Sequence, residues 1–538
     1  MSKWIYTTIT SIVFIVLILI SGLDQNPSEL KNIKLGVKTH DIMTSSKPVV
    51  MILVDSLMDE SLQKVIQNGE APVLKFLIDK GKYFSKVVSS YPTMSVTIDS
   101  TLLTGGYAHQ HHVPGLVWFH HEENRVVSYG SGFKEIWKQG IQHIILDSLK
   151  DLNAKHLNPD TKTIFEDLSN KGIDSASING LIFRGDTKQI IHLPDTFARY
   201  SDLPEKINVN APSVFSLGSL SQMNPSNQTH HVWQKFGVND PFSVNELLFL
   251  LENHQLPPFS LVYFPNNDQV VHKKGPEETE GIIEVDKQLQ RIVNAFPTWE
   301  DAINEVSWVI LGDSGQSTII NDKEKSLIKL KTLLNDYHIY ELGTKVMEQD
   351  QIVLCVNERM TYVYVLDDNV SLQEMAEKMK QEHRIDFIAW KEDESVKVIS
   401  PDHTEILTFQ PNSKHKDIYD QSWLVDGNLE VLDLKYENNQ IQYKTYPDAL
   451  ARLYGALNSH QGRFLVTDAK IGYEFTDDYS PTHLGGGGHG SLHEKDSYVP
   501  MIVTGTHSYP KHARMIDIKD WLLQLITGRG NSPSLENP

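Results

Sequence analysis

Short, continuous apolar runs recur along the chain, at 48–54, 173–178, 259–264, 306–311 and 499–505. Runs without polar alternation suit strands covered on both faces, as in a parallel sheet. Between them, apolar residues return at helical spacing. The pattern predicts helices over 71–82 (Val73, Phe76 and Leu77 on one face), 282–296 (Ile282, Val285, Leu289, Ile292), 448–458 and 516–525. Strands alternating with helices imply an α/β core. Residues 134–170 read as helices around irregular connections, and 200–245 give no regular pattern.

Between 321 and 455 the character changes. Strands become short and alternating, at 361–366, 387–391 and 396–400, with one helix over 372–382 and high charge throughout. Core-like runs return afterwards, so this stretch reads as an inserted, smaller α+β cap. The expected division is therefore an α/β core over 47–320 and 456–530, interrupted by a cap over 321–455 and followed by a tail over 531–538.

The first residues bear on the compartment. Residues 4–23 carry no charge, are dense in Ile, Val and Leu, and are long enough to span a bilayer. The segment 1–23 is a transmembrane anchor or a cleavable signal. Ile20-Ser21-Gly22-Leu23 matches a small-x-small cleavage site poorly, which favours the anchor, with 24–46 as a polar linker. The expectation is a cell-membrane protein with its catalytic domain outside, or a secreted one if the segment is cleaved. Cys355 is the only cysteine, so neither an internal disulfide nor a Cys-based zinc site is possible. A formal net charge of −20 argues against nucleic-acid binding, and an anionic substrate would need local positive charge, which metal ions supply.

Three carboxylates stand just after the apolar runs. Asp55 follows 48–54, Asp268 lies shortly after 259–264, and Asp313 follows 306–311. In open α/β sheets, ligands sit at the carboxyl ends of strands. His272, four residues after Asp268, reaches the same ion if the loop is tight or helical. Ser95 begins a predicted helix that stops at Gly105-Gly106, which puts its hydroxyl at a helix N-terminus, where an anion is favoured. Near the C-terminus, Gly485-Gly486-Gly487-Gly488 lets the backbone approach a neighbour closely, and His489 follows at once. His109, His111, His112, His120 and His121 cluster without strict ligand spacing, and Arg184 is a candidate for meeting a substrate anion.

These residues resemble the alkaline phosphatase superfamily, and within it the nucleotide pyrophosphatase/phosphodiesterase branch, over roughly 48–320 and 456–508. In that branch Pro-Thr-x-Thr/Ser carries the nucleophile, followed nine residues later by Thr-Gly; here Pro92-Thr93-Met94-Ser95 precedes Thr104-Gly105. The branch's Asp-x-x-Gly-His matches Asp268 to His272, with Val271 for Gly, and its last metal His matches His489. The resemblance implies a three-layer αβα sandwich with a mostly parallel central sheet. It implies Ser95 as nucleophile, a phosphoseryl intermediate and two divalent ions, usually zinc. One ion would use Asp268, His272 and His489, and the other Asp55, Asp313 and the Ser95 oxygen. His111 falls on a structural His of the family's turn.

Two departures stand out. The family has Asp-His where this chain has Asp313-Ser314, so the second ion loses an imidazole and suits Mn²⁺ or Mg²⁺, unless His483 or His493 substitutes. An Asn that binds a phosphate oxygen in diesterases has no counterpart in Pro114-Gly115-Leu116-Val117-Trp118. Ser95 also lacks the Pro-x-Arg context of a sulfatase. The resulting expectation is an exported, metal-dependent phosphoric ester hydrolase acting on a small-molecule or lipid-linked phosphoester. The alternatives are a membrane-associated phosphoglycerol or phosphoethanolamine transferase of the same superfamily, and a non-catalytic surface binding protein on a degenerate fold.

Overall fold

Apolar runs with no polar alternation need cover on both faces, and in the computed structural model they have it. The structure describes residues 47–194 and 202–528. Seven strands form the central sheet, in the order Lys82–Val88, Tyr498–Thr504, Ser307–Gly312, Val49–Val54, Phe259–Phe264, Ser175–Ile178 and Val214–Ser216. Only Tyr498–Thr504 runs against the others. Along Val49–Val54, Val49, Met51 and Leu53 join one core, while Val50, Ile52 and Val54 join the other. Helices Ser95–Thr104 and Ile518–Thr527 cover the first face. Helices Asp59–Gln67, Pro72–Lys80, Asp240–Glu252 and Glu280–Val293 cover the second. This is the expected αβα sandwich.

The sheet register sets the site. Val54 pairs with Gly312 on one side and with Phe264 on the other. Asp55 and Asp313 therefore leave the sheet at the same level, and Asp268 lies in the first turn of the helix that follows, Asn266–Lys274.

Nine strands form a second sheet, mostly antiparallel. Phe464–Ala469 runs inside it, between Met360–Val365 and Ile385–Glu392. The sheet thus extends past residue 455, where the composition placed the end of the cap. That strand was not legible because it reads like another core run. The stretch 200–245 also has order: Lys206–Ala211 forms a hairpin with Thr187–His192, and Val214–Ser216 edges the central sheet. The apolar segment 1–23, the linker 24–46 and the tail 531–538 lie outside the described residues. Among the described residues, no helix is long and apolar enough to cross a membrane.

One turn joins the two sheets. Ile352–Asn357 and Met360–Val365 are linked through Glu358 and Arg359, with Glu358 in the left-handed region at φ 59°. Asn357 Oδ1 accepts from the backbone N–H groups of Leu116 (2.8 Å) and Val117 (3.1 Å). Arg359 pairs with Asp496 and donates to Ser317, Ser491 and the Ala469 carbonyl. Both members of the Arg359–Asp496 pair are fully buried. Removing one partner of such a pair leaves the other charge uncompensated. Asp496→Ala is expected to cost about 3–5 kcal/mol in chemical denaturation; a loss below about 1 kcal/mol would contradict the assigned role.

Candidate active site

The ends of the three central strands converge through a single residue. Ser56 adopts φ 56°, which turns the chain sharply after Asp55. Its N–H donates to Asp313 Oδ1 at 2.8 Å, and its hydroxyl donates to Asp268 Oδ1 at 2.8 Å. Gln316 Nε2 donates to the same Asp268 oxygen at 2.8 Å and to the Ser56 hydroxyl at 2.7 Å. Asn267 holds the Asp55 and Ser56 carbonyls at 3.0 and 2.8 Å, and the Tyr263 hydroxyl donates to Asp55. Asp55, Asp268 and Asp313 are thereby gathered in one buried pocket.

Crowding three carboxylates away from water is costly. Burial first, then the charges of Asp268 and Asp313, push the Asp55 carboxyl far above its usual range. Burial likewise raises Asp313. Asp55 Oδ1 and Asp313 Oδ2 are buried and make no hydrogen bond. Lys235 feels Asp240, Asp268 and Asp55, but burial dominates and lowers its pKa to about 8.

The imidazoles come from two directions. Asp268 and His272 share one helix, with His272 Nε2 3.1 Å from Asp268 Oδ1. His489 arrives on the glycine-rich segment. A Cβ on Gly486 would sit 1.9 Å from the His272 carbonyl oxygen, and one on Gly487 would sit 2.3 Å from Gln316 Oε1. The glycines thus let this segment lie directly against the helix of Asp268 and His272. One ligand atom each from Asp268, His272 and His489 lie within 4.8 Å of one another. His272 donates Nδ1–H to the Gly487 carbonyl at 2.8 Å, and His489 donates Nδ1–H to the Thr93 carbonyl. Each ring therefore keeps Nε2 for a ligand, the usual arrangement of metal-binding histidines.

Ser95 begins the helix Ser95–Thr104, two residues after the Thr93 that anchors His489. Within the buried stretch 87–104 it alone is partly exposed. Asp99, one turn further along, is fully buried, and neither of its oxygens has a hydrogen-bond partner. Burial and the nearby Asp313 charge raise its carboxyl strongly. At i+4 from Ser95 it lies on the same helix face, a spacing present in the sequence that was not taken up there.

Other sequence candidates have different partners. Ser314 replaces the expected imidazole; its N–H donates to Asp313, and its buried hydroxyl makes no hydrogen bond. His483 lies beside His272, with ring centroids 4.4 Å apart, and not beside Asp313. His493 caps the short helix Glu494–Ser497, so it does not supply the missing imidazole either. His111 accepts from Val113 N–H and meets Thr101 at 3.1 Å, a structural role. Arg184 is occupied by Glu166 and the carbonyls of Leu157, Asn158 and Thr161, so it does not face a substrate anion. Among the described residues, no group suited to a metal includes His109, His112, His120 or His121.

Glu358 was not foreseen. Its Oε2 accepts from His489 N–H at 3.0 Å, and its Oε1 lies 3.9 Å from the Nε2 atoms of both His272 and His489. Burial opposes its charge, but the three nearby imidazoles more than offset this and hold it below the usual carboxyl range.

The donor set, carboxylates opposed by imidazole nitrogens, fits divalent cations. A profile of the type I phosphodiesterase / nucleotide pyrophosphatase family matches residues 49–492, and the chain belongs to that family. It is a phosphoric ester hydrolase of the alkaline phosphatase superfamily, a metal-dependent class acting on small-molecule phosphoesters. That assignment displaces the reading as a non-catalytic binding protein. The fold is similar to murine ectonucleotide pyrophosphatase / phosphodiesterase 5, at 13% identity and TM-score 0.53, covering 91% of this chain and 98% of that one. The human counterpart gives 14% identity, TM-score 0.52, and coverage of 91% and 97%. An inactive form of the murine protein in complex with AMP aligns at 13% identity, TM-score 0.50, and coverage of 91% and 97%. No curated protein matches.

Burial works against a charged His272, yet Asp268 and Glu358 carry its pKa up to about 10. Near neutrality a cation must then displace a proton from this ring, so binding tightens as pH rises from about 6 to 9. Calorimetric titration in buffers of different ionisation heat should detect a released proton; pH-independent binding without release would refute this.

Proposed function

We propose that the chain is an exported phosphodiesterase that uses Ser95 as nucleophile and holds two divalent cations. One cation lies among Asp268, His272 and His489. The other lies among Asp55, Asp313 and the Ser95 oxygen. The single observation that carries the reading is the convergence of three strand-end aspartates with His272 and His489 beside the start of the Ser95 helix. Zinc suits the imidazole-bearing site. The second set is all oxygen, which favours Mn²⁺ or Mg²⁺.

Bound there, the cations offset the charge of the phosphoester and acidify the oxygens beside them. The rest of the chemistry belongs to the chain. Ser95 sits where the helix dipole favours developing negative charge. Its hydroxyl loses a proton, and Oγ attacks phosphorus in line with the leaving oxygen. The bond to the leaving group breaks and a phosphoseryl ester forms. Water then attacks the same phosphorus from the opposite side, releasing the phosphate monoester and restoring Ser95. His272 and His489 stay fixed through their Nδ1 hydrogen bonds.

A nucleotide-type diester is the preferred substrate class, supported by family membership and by the AMP complex of the murine neighbour. Export and membrane attachment rest on the apolar run at 4–23. No Asn lies within 114–118 to hold a phosphate oxygen, so paired monoester and diester substrates belong in the first assay. Hydrolysis of a nitrophenyl phosphodiester should be abolished by chelation and restored by Zn²⁺ or Mn²⁺. Ser95→Ala should lower turnover by about a thousandfold or more with the fold intact. Turnover preserved in Ser95→Ala would reject the nucleophile.

A further inference from the structure

We propose that Glu358 is a fourth protein ligand of the first cation, so that this cation clasps the hairpin turn of the second sheet to the catalytic sheet. The inference rests on the two-cation reading above.

A backbone carbonyl only accepts, so the Nδ1 contacts of His272 and His489 fix their protons on that side. Once a cation has displaced the His272 proton, both Nε2 atoms present lone pairs. Each of these atoms lies 3.9 Å from Glu358 Oε1. Without that proton, three acceptors aimed at one space repel each other unless a cation lies between them. Donors at about 2.0–2.2 Å from a tetrahedral ion stand about 3.3–3.6 Å apart, so the two 3.9 Å separations close onto one ion with a small inward shift of the carboxyl.

The backbone around Glu358 is built to deliver it. The residue sits at φ 59° in the turn. Asn357 and Arg359 on either side are each tied down by several hydrogen bonds. The Glu358 carbonyl accepts from Phe475 N–H at 2.8 Å, and Arg359 N–H donates to the His489 carbonyl at 2.9 Å. His483 packs over His272, and its Nδ1 is held 3.0 Å from Glu474. The carboxyl is thus presented to the two ligand rings by a rigid turn. Its bond from His489 N–H alone would make it a merely structural residue.

The full chain tests this, stripped with a chelator and reloaded with Zn²⁺ against a competing chromophoric chelator. Metal content is read by emission spectroscopy. Glu358→Gln keeps the shape and an acceptor for His489 N–H but removes the charge. It should weaken the tighter zinc by about a hundredfold or more, beyond the usual effect of outer-shell partners. Glu358→Asp should recover part of that loss. X-ray absorption on the wild type with one equivalent of zinc needs no variant; it should show two imidazoles and two carboxylate oxygens. Unchanged zinc affinity in Glu358→Gln, or a single carboxylate in the absorption spectrum, would overturn the proposal while leaving the two-cation reading standing. A wild type that binds no zinc would overturn both.

Discussion

The site is governed by mutual repulsion of buried carboxylates. Asp55, Asp268 and Asp313 come together because parallel register ends three neighbouring strands at one level. The sheet gains its stability from apolar burial on two faces, and the charges arrive with it. Ser56, Gln316 and Tyr263 satisfy some of their oxygens, but hydrogen bonds do not cancel charge. Cancelling it takes either protons, which the raised Asp55 and Asp313 carboxyls favour, or cations of high charge density. In the proposed reading, cations that neutralise these carboxylates would also meet the phosphoester.

The second sheet is part of that arrangement. Its hairpin turn sends Asn357 to the 116–117 backbone, Glu358 to the imidazoles and Arg359 to the buried Asp496. The glycine-rich segment threads between this turn and the helix of His272, and a Cβ at Gly490 would meet the Asn357 carbonyl oxygen at 2.4 Å. His489 is therefore positioned by packing from both sheets. A stretch that looked like an ornament on the core contributes to the geometry of its centre.

Much of this was legible from one dimension. Asp55 and Asp313 follow apolar runs directly, so strand-end logic finds them. Asp268 and His272 are spaced for one helix face, and Ser95 stands where its helix begins. What escaped has identifiable causes. Ser56 acts through a left-handed backbone that no side-chain pattern signals. Glu358 lies in a turn between two strands, where an acidic residue ordinarily faces water. Asp99 is a lone carboxylate inside a helix, with no strand end to flag it. Phe464–Ala469 resembles a core strand, yet it completes the second sheet.

The most direct test is a crystal structure of the reloaded protein with anomalous scattering recorded across the zinc and manganese edges. The account predicts two peaks, one bounded by Asp268, His272 and His489 and the other by Asp55, Asp313 and Ser95. Carboxylates paired with each other through shared protons, with no anomalous density among them, would contradict it.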